Sequence, residues 1–293
     1  MLREPFTPTF FRRLQQLKIH TRRAFLGSRQ GIHLSLRRGH GLEFSDYRVY
    51  APGDDFRHID WGVYGRTDRL YVRQFREEQD LNILILLDAS ASMALPERSG
   101  KFDLARNLAL ALGYIAMSDG DSVCFSVLGQ KNTPKYKGHR AINRAIAELQ
   151  SITPQGSFDI VHEIRAAVAK QRIPGRCFLI SDFLFDLTTA FSAIDLLRGR
   201  NFDISLIQVL APQELTLDRS LSSPLVVDSE TGELVEIALG KGSSQEYAEL
   251  LARHIASIES YCKKAGIIHA LVSSAESLND IVLTKFPAAG LVN

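Results

Sequence analysis

Cysteine is scarce in this chain. The three present, Cys124, Cys177 and Cys262, are odd in number, far apart and each set in an apolar stretch. That excludes a disulfide framework and reads as buried, reduced thiols in a reducing compartment. The eight histidines (His20, His33, His40, His58, His139, His162, His254 and His269) are scattered without the spacing of a zinc site. No stretch approaches the roughly 18 apolar residues of a membrane span. The best run, Ile83 to Leu87, stops at Asp88. Arg12 and Arg13 interrupt the N-terminal segment, so no secretion leader is expected and a cytoplasmic protein is. Also missing are the Gly-x-x-x-x-Gly-Lys-Ser/Thr phosphate loop, a convincing dinucleotide fingerprint and the Gly-x-Ser-x-Gly of serine hydrolases.

What remains is an ordinary globular composition. Of 293 residues, 45% are hydrophobic and 23% charged, which excludes disordered and collagenous classes. The length suits one large domain, or one domain with an appendage. The net charge of +2 conceals an asymmetry. Residues 1–42 hold nine Lys and Arg against Glu4 alone, a charge of +8, so the remaining chain carries −6. A basic arm of this kind suits nucleic acid or an anionic membrane. The competing reading is a short helix docking an apolar stripe, because Phe10, Phe11, Leu14 and Leu17 recur at helical spacing.

Residues 39–80 are dense in local signals. Pro52-Gly53-Asp54 is a turn with a mechanism: proline presets φ, glycine allows positive φ, and aspartate bonds nearby amides. Asp54, Asp55 and Asp60 alternate with Arg48, Arg57 and Arg66. They read either as an internal ion-pair network anchored by Trp61 or as a docking surface that exposes Arg66 and Arg69. Leu70 to Phe75 reads as a strand.

From residue 81 strands and helices alternate. Leu81–Leu87 is a continuous apolar strand of the kind buried on both faces of a parallel sheet. Further strands fall at Val123–Leu128, Cys177–Ser181, Ile204–Leu210 and Ile267–Val272. Helical stripes run through Leu104–Ile115, Ile142–Leu149, Ile160–Val168, Ala190–Leu197 and Tyr247–Cys262. The pattern implies an α/β fold with a doubly wound, mostly parallel sheet over residues 80–293, preceded by a β-rich N-terminal extension over residues 1–79. A β-hairpin insertion is expected near residues 213–240, from Leu225-Val226-Val227 and Leu234–Ile237 around Gly232.

Ligands of open α/β sheets bind outside the carboxyl ends of the strands. There the first core strand ends in Asp88-Ala89-Ser90-Ala91-Ser92-Met93. Gly156-Ser157 precedes the helix that starts near Asp159, and Ser181-Asp182 closes a later strand. Asp88, Ser90, Ser92, Ser157 and Asp182 offer two carboxylates and three neutral hydroxyls. Such hard oxygen donors suit Mg²⁺ or Mn²⁺. With so few charged ligands the ion stays electrophilic and favours an acidic group from a partner. The competing account is that these are ordinary caps and turn formers. A phosphatase built on Asp88 as nucleophile lacks a second acid two residues on, where Ser90 stands. An enzyme is therefore not expected.

Asp88 to Met93 after an apolar strand resembles the metal-ion-dependent adhesion site of von Willebrand factor A domains. Upstream, Gly41-Leu42-Glu43-Phe44-Ser45-Asp46, Pro52-Gly53-Asp54-Asp55, Arg57, Ile59-Asp60-Trp61 and Tyr71-Val72-Arg73 resemble the bacterial domain-of-unknown-function family 58. The resemblance implies a Rossmann-like A-type domain with Asp88, Ser90, Ser92 and Asp182 as metal ligands. The second loop of the family usually supplies a threonine, matched here by Ser157, with Thr153 as the substitute. It further implies action beside a MoxR-type AAA+ ATPase or its client, as a chaperone-like adaptor.

Overall fold

The computed structural model describes residues 6–19, 21, 43–76, 81–130, 135–215, 225–227, 234–236 and 243–293. In chain order its main elements are α1 (Pro8–Leu14), β1 (Glu43–Val49), α2 (Trp61–Thr67), β2 (Tyr71–Arg76), β3 (Asn82–Asp88), α3 (Lys101–Ser118), β4 (Ser122–Leu128) and β5 (Lys135–Lys137). They continue as α4 (Ile142–Gln150), α5 (Ile160–Ala169), β6 (Arg176–Ser181), α6 (Leu187–Gly199), β7 (Asp203–Leu210), α7 (Pro212–Leu215), β8 (Leu225–Val227) and β9 (Leu234–Glu236). The last are α8 (Ser243–Ala265), β10 (Ile268–Ser273) and short C-terminal helical turns that include α9 (Leu278–Asp280) and α10 (Phe286–Ala289). The chain forms two compact units, residues 1–25 with 81–293, and residues 26–80.

The larger unit is an α/β layer structure. Its six strands lie in the order β10-β7-β6-β3-β4-β5, all parallel except the short antiparallel edge β5. Alternation along each strand divides the core in two, as the pleat requires. Ile83, Ile85 and Leu87 of β3 face α3, α4 and α1, while Leu84 and Leu86 face α5, α6 and α8. Both faces are covered, which is why β3 reads as an unbroken apolar run rather than an alternating one. β4 follows β3 on one side and β6 lies on the other, so the winding reverses between β3 and β6. The crevice at that reversal is where a parallel sheet holds a ligand.

Residues 6–19 belong to this larger unit, unlike the expected grouping of residues 1–79. Thr7 caps α1 with its hydroxyl, and Phe10 and Leu14 are buried. The Phe11 ring meets Tyr114 of α3 at 4.5 Å, and Gln15 donates to the Tyr114 hydroxyl at 2.7 Å. Lys18 and Asn293 exchange reciprocal backbone bonds of 2.9 and 3.0 Å. The apolar stripe therefore docks on the body, while Arg12 and Arg13 stay exposed. Of the other basic residues of the arm, Lys18 pairs with Asp119 at 3.2 Å, and Arg3, Arg22, Arg23, Arg29, Arg37 and Arg38 lie outside the described residues.

The expected hairpin is present as the β8–β9 antiparallel pair, apart from the main sheet. Its turn around Gly232 lies outside the described residues. The antiparallel edge β5 and the C-terminal turns were not expected from the sequence. β5 is three residues long, too short for a periodic signal.

Gly175, just before β6, marks a close approach: a Cβ there would stand 1.9 Å from the Asn82 backbone oxygen. Gly175→Ala must push β6 from β3 at the start of their pairing. The expected loss is about 1–3 kcal/mol, read as a lowered urea midpoint; an unchanged midpoint would contradict the contact.

The smaller unit pairs β1 with β2 antiparallel, from Glu43 opposite Arg76 to Val49 opposite Tyr71, with a bulge between Phe44 and Asp46. Asp60 is its hub. The buried carboxylate caps α2 by accepting from the amides of Gly62 and Val63, and it accepts from the Tyr47 hydroxyl at 2.9 Å and the Arg73 Nε at 2.7 Å. The Val63 amide first, then Tyr47 and Arg73, hold it down at about 2. Arg48 pairs with Asp54 and Arg57 with Asp55, both at 2.7 Å. The ion-pair reading of these acids thus describes the geometry. Trp61, expected as an anchor, is instead 63% exposed, edge-on to Tyr64.

Candidate metal centre at the strand ends

Asp88 is the last residue of β3, and Ser181 is the last of the adjacent β6, with Asp182 next in sequence. Parallel pairing of Leu87 with Ile180 brings these ends level. Ser181 donates its hydroxyl to Asp88 Oδ2 at 2.6 Å, and the Ser90 amide donates to Asp88 Oδ1 at 2.9 Å. The Ser90 and Ser92 hydroxyls face each other at 2.9 Å. The spacing of two therefore does place both hydroxyls together, on a 3-10 turn over residues Ala91–Ala94. Asp88 and Asp182 are both buried, and the charge of Asp182 acts on Asp88.

The turn after β6 is held from several sides. Phe183 is buried at φ 54, a left-handed conformation that costs about 1–3 kcal/mol in a non-glycine residue. Its amide donates to the Ser181 hydroxyl at 3.0 Å, and its carbonyl meets His254 Nε2 at 2.6 Å. Gln208 donates to the Asp182 carbonyl at 2.8 Å and in turn meets His269 at 3.1 Å. His254 thus fills the structural role expected of a histidine on an inner helical stripe. The constraints fix where the Asp182 carboxylate points.

Ser157 is placed differently. Its loop is tied to the Asp88–Ser92 loop through the backbone, Ala91 N to Gly156 O and Gln155 N to Ala89 O, both 2.9 Å. Ser157 itself is exposed, and so is Thr153, whose carbonyl accepts from Gln130 at 2.9 Å. The cap of α5 is Asp159, which accepts from the amides of Val161 and His162. Ser157 therefore does not cap that helix, and the two loops lie side by side without its hydroxyl bonded to the others.

Two residues of this cluster carried no functional signal in the sequence. Lys101 is the first residue of α3, yet its side chain is fully buried. Its ammonium donates to Asp182 Oδ2 at 2.9 Å and to Glu214 Oε1 at 2.6 Å. Glu214 lies on α7 and also accepts from the Ala211 amide at 2.7 Å. The one available hint was a cation at a helix start, where the helix dipole disfavours it. Such a lysine ordinarily points into solvent.

The donor set suits a hard cation in part. Asp88 supplies an acceptor-only carboxylate, and Ser90 and Ser92 supply neutral oxygens beside it. Among the described residues no three His, Cys, Asp or Glu side chains are disposed to hold a metal ion. A cation here would rest on Asp88 and the two serines, with Asp182 behind them already engaged by Lys101.

Burial first, then the charge of Asp182, push the Asp88 carboxyl up to about 6. The unfolded chain protonates this group near its ordinary 3.8. Between these values the folded state holds the extra proton. In EDTA, stability is therefore expected to rise as pH falls through 6 and to level near 4, a gain of up to about 2–3 kcal/mol. Asp88→Asn should flatten that slope in urea titrations at successive pH values. The same slope in the variant would assign the proton elsewhere.

A family model described as "Protein of unknown function DUF58" matches residues 46–257. Uncharacterized proteins of Mycobacterium tuberculosis and Mycobacterium bovis are each 26% identical over 277 residues, spanning 92% of this chain and 86% of theirs. Among solved structures, a conserved hypothetical protein BatB from Bacteroides thetaiotaomicron is 18% identical, with a TM-score of 0.41, over 71% of this chain and 98% of that one. An aerotolerance-related membrane protein from Bacteroides fragilis is 20% identical, also at a TM-score of 0.41, over 68% and 94%. Among the described residues no helix is long and apolar enough to cross a membrane.

Proposed function

The chain belongs to the DUF58 family of proteins of unknown function, and from that premise and the strand-end cluster we propose that it is a non-catalytic interaction module of the von Willebrand factor A type. Asp88, Ser90 and Ser92, backed by Asp182 and with Ser157 on the adjoining loop, would hold Mg²⁺ or Mn²⁺ and present it to an acidic group of a partner protein. The partner proposed, on the resemblance of the sequence signature, is a MoxR-type AAA+ ATPase or its client.

The observation that carries this reading is the cluster itself. A buried carboxylate and two serine hydroxyls 2.9 Å apart converge at the reversal between β3 and β6. Oxygen donors with little charge leave an ion free to take a carboxylate from outside. Hydrolytic chemistry finds less support, because position 90, where an Asp88-based phosphatase would need its general acid, is a serine. The test is retention of a MoxR-type ATPase on the immobilised chain in Mg²⁺ and in EDTA. Retention is expected in Mg²⁺ only, and equal retention in both would overturn the reading.

A further inference from the structure

We propose that Lys101 is a built-in cation that sets the charge of the strand-end site to match a divalent ion and holds Asp182 and Glu214 in place between binding events. The inference rests on the metal-binding reading above and adds to it a residue that touches neither ion nor partner.

The cluster contains three carboxylates, Asp88, Asp182 and Glu214, and one ammonium, Lys101, whose side chain is 0% exposed. The sum is two negative charges in a largely dehydrated volume. Isolated charges are not tolerated there, and a divalent ion would neutralise the excess. Lys101 does not occupy the Asp88 side of the site. Its bonds run to Asp182 and Glu214, while Asp88 is bonded by Ser181 and the Ser90 amide. The ammonium and a divalent ion would therefore divide the acids between them rather than compete for one carboxylate. The position is also unfavourable by local rules, because a cation in the first turn of an 18-residue helix opposes the dipole. Only the two carboxylates offset that placement.

The experiment is a charge series read by Mn²⁺ binding alone, using the electron paramagnetic resonance signal of free Mn²⁺ at pH 8 with the full chain. Glu214→Gln leaves one excess negative charge, the wild type two and Lys101→Met three. Nearby unit charges in a partly screened interior act strongly enough that each step should change the Mn²⁺ dissociation constant by about tenfold. Lys101→Met should bind tighter and Glu214→Gln weaker than wild type. A merely structural lysine would make both variants equal to wild type or both weaker, and either result overturns the inference.

If Lys101→Met does not fold in EDTA, the double variant Lys101→Met with Glu214→Gln, which again carries two excess negative charges, replaces it: affinity restored above that of Glu214→Gln alone supports the inference, and affinity no tighter than that of Glu214→Gln overturns it. Asp88→Ala in the same series separates the two levels. Wild-type binding that Asp88→Ala abolishes, with no ordering by charge, defeats the role of Lys101 and leaves the metal reading standing. Binding by Lys101→Met but not by wild type overturns both, because the ammonium then stands in place of the divalent ion rather than beside it. Absence of binding in every form overturns both.

Discussion

Asp88→Ala is expected to lower Mg²⁺-dependent retention of a MoxR-type ATPase at least about a hundredfold while the fold persists. Metal sites already lose about 10–100-fold when only an outer partner of a ligand is removed. Asp88 is the one carboxylate of the cluster not engaged by Lys101, so its removal withdraws the charge that holds the ion. The fold should survive because the deleted group is itself a liability in the metal-free state: burial, then the charge of Asp182, push its carboxyl up to about 6. The Ser181 hydroxyl loses one acceptor but keeps the Phe183 amide as donor. Thermal unfolding in EDTA should therefore be unchanged or shifted upward. Equal capture of the ATPase by wild type and variant, with and without Mg²⁺, would end the proposal.

A second large effect is expected at the opposite end of the sheet. Arg176 and Asp203 open the neighbouring strands β6 and β7 and are both buried. The guanidinium donates to Asp203 at 2.6 Å and to the Ser205 hydroxyl at 2.8 Å, and it lies 5.3 Å from the Phe178 ring centroid. Asp203→Ala strands this charge in the interior, a change that costs about 3–5 kcal/mol. Replacing both partners, with Arg176→Met added, should recover most of the loss, because the pair as a whole contributes little beyond its own desolvation. Urea unfolding of the two single variants and the double variant measures this. A single variant within about 1 kcal/mol of wild type would show that water reaches the guanidinium. Metal-dependent capture should not change in the folded variants, since ligand sites of parallel sheets lie at the other ends of the strands.

The sequence was legible where a signal is local or periodic. β3 could be placed from Ile83 to Leu87 because burial on both faces demands an unbroken apolar run. α4 and α5 were visible from the stripes Ile142, Ala145, Ile146, Leu149 and Ile160, Ile164, Val168. Asp88, Ser90 and Ser92 could be grouped because two-residue spacing in a strand-end loop is itself a geometric statement. Asp182 could be added because parallel strands end at the same level.

Other features were not legible, for physical reasons that differ. Ser157 stands on the loop that topology brings beside the Asp88–Ser92 loop, but the exposure of its side chain is not written in the spacing of the sequence. Trp61 reads as an anchor because tryptophan usually buries its area, and its 63% exposure does not follow from its neighbours in sequence.

The sequence by itself thus determined the α/β alternation, the apolar strands, the oxygen-rich ends of β3 and β6, and the docking stripe of α1. Each follows from residue type and spacing along one segment, which a reader of the chain can measure. Tertiary structure alone decided that Lys101 lies between Asp182 and Glu214. These residues stand 81 and 113 positions from it, one in the turn after β6 and one on α7. A charge at a helix start carries no record of which carboxylates will fold against it, and solvent is its default environment. Only the winding of the chain around β3 and β6 removes that default and leaves the ammonium with acids as partners.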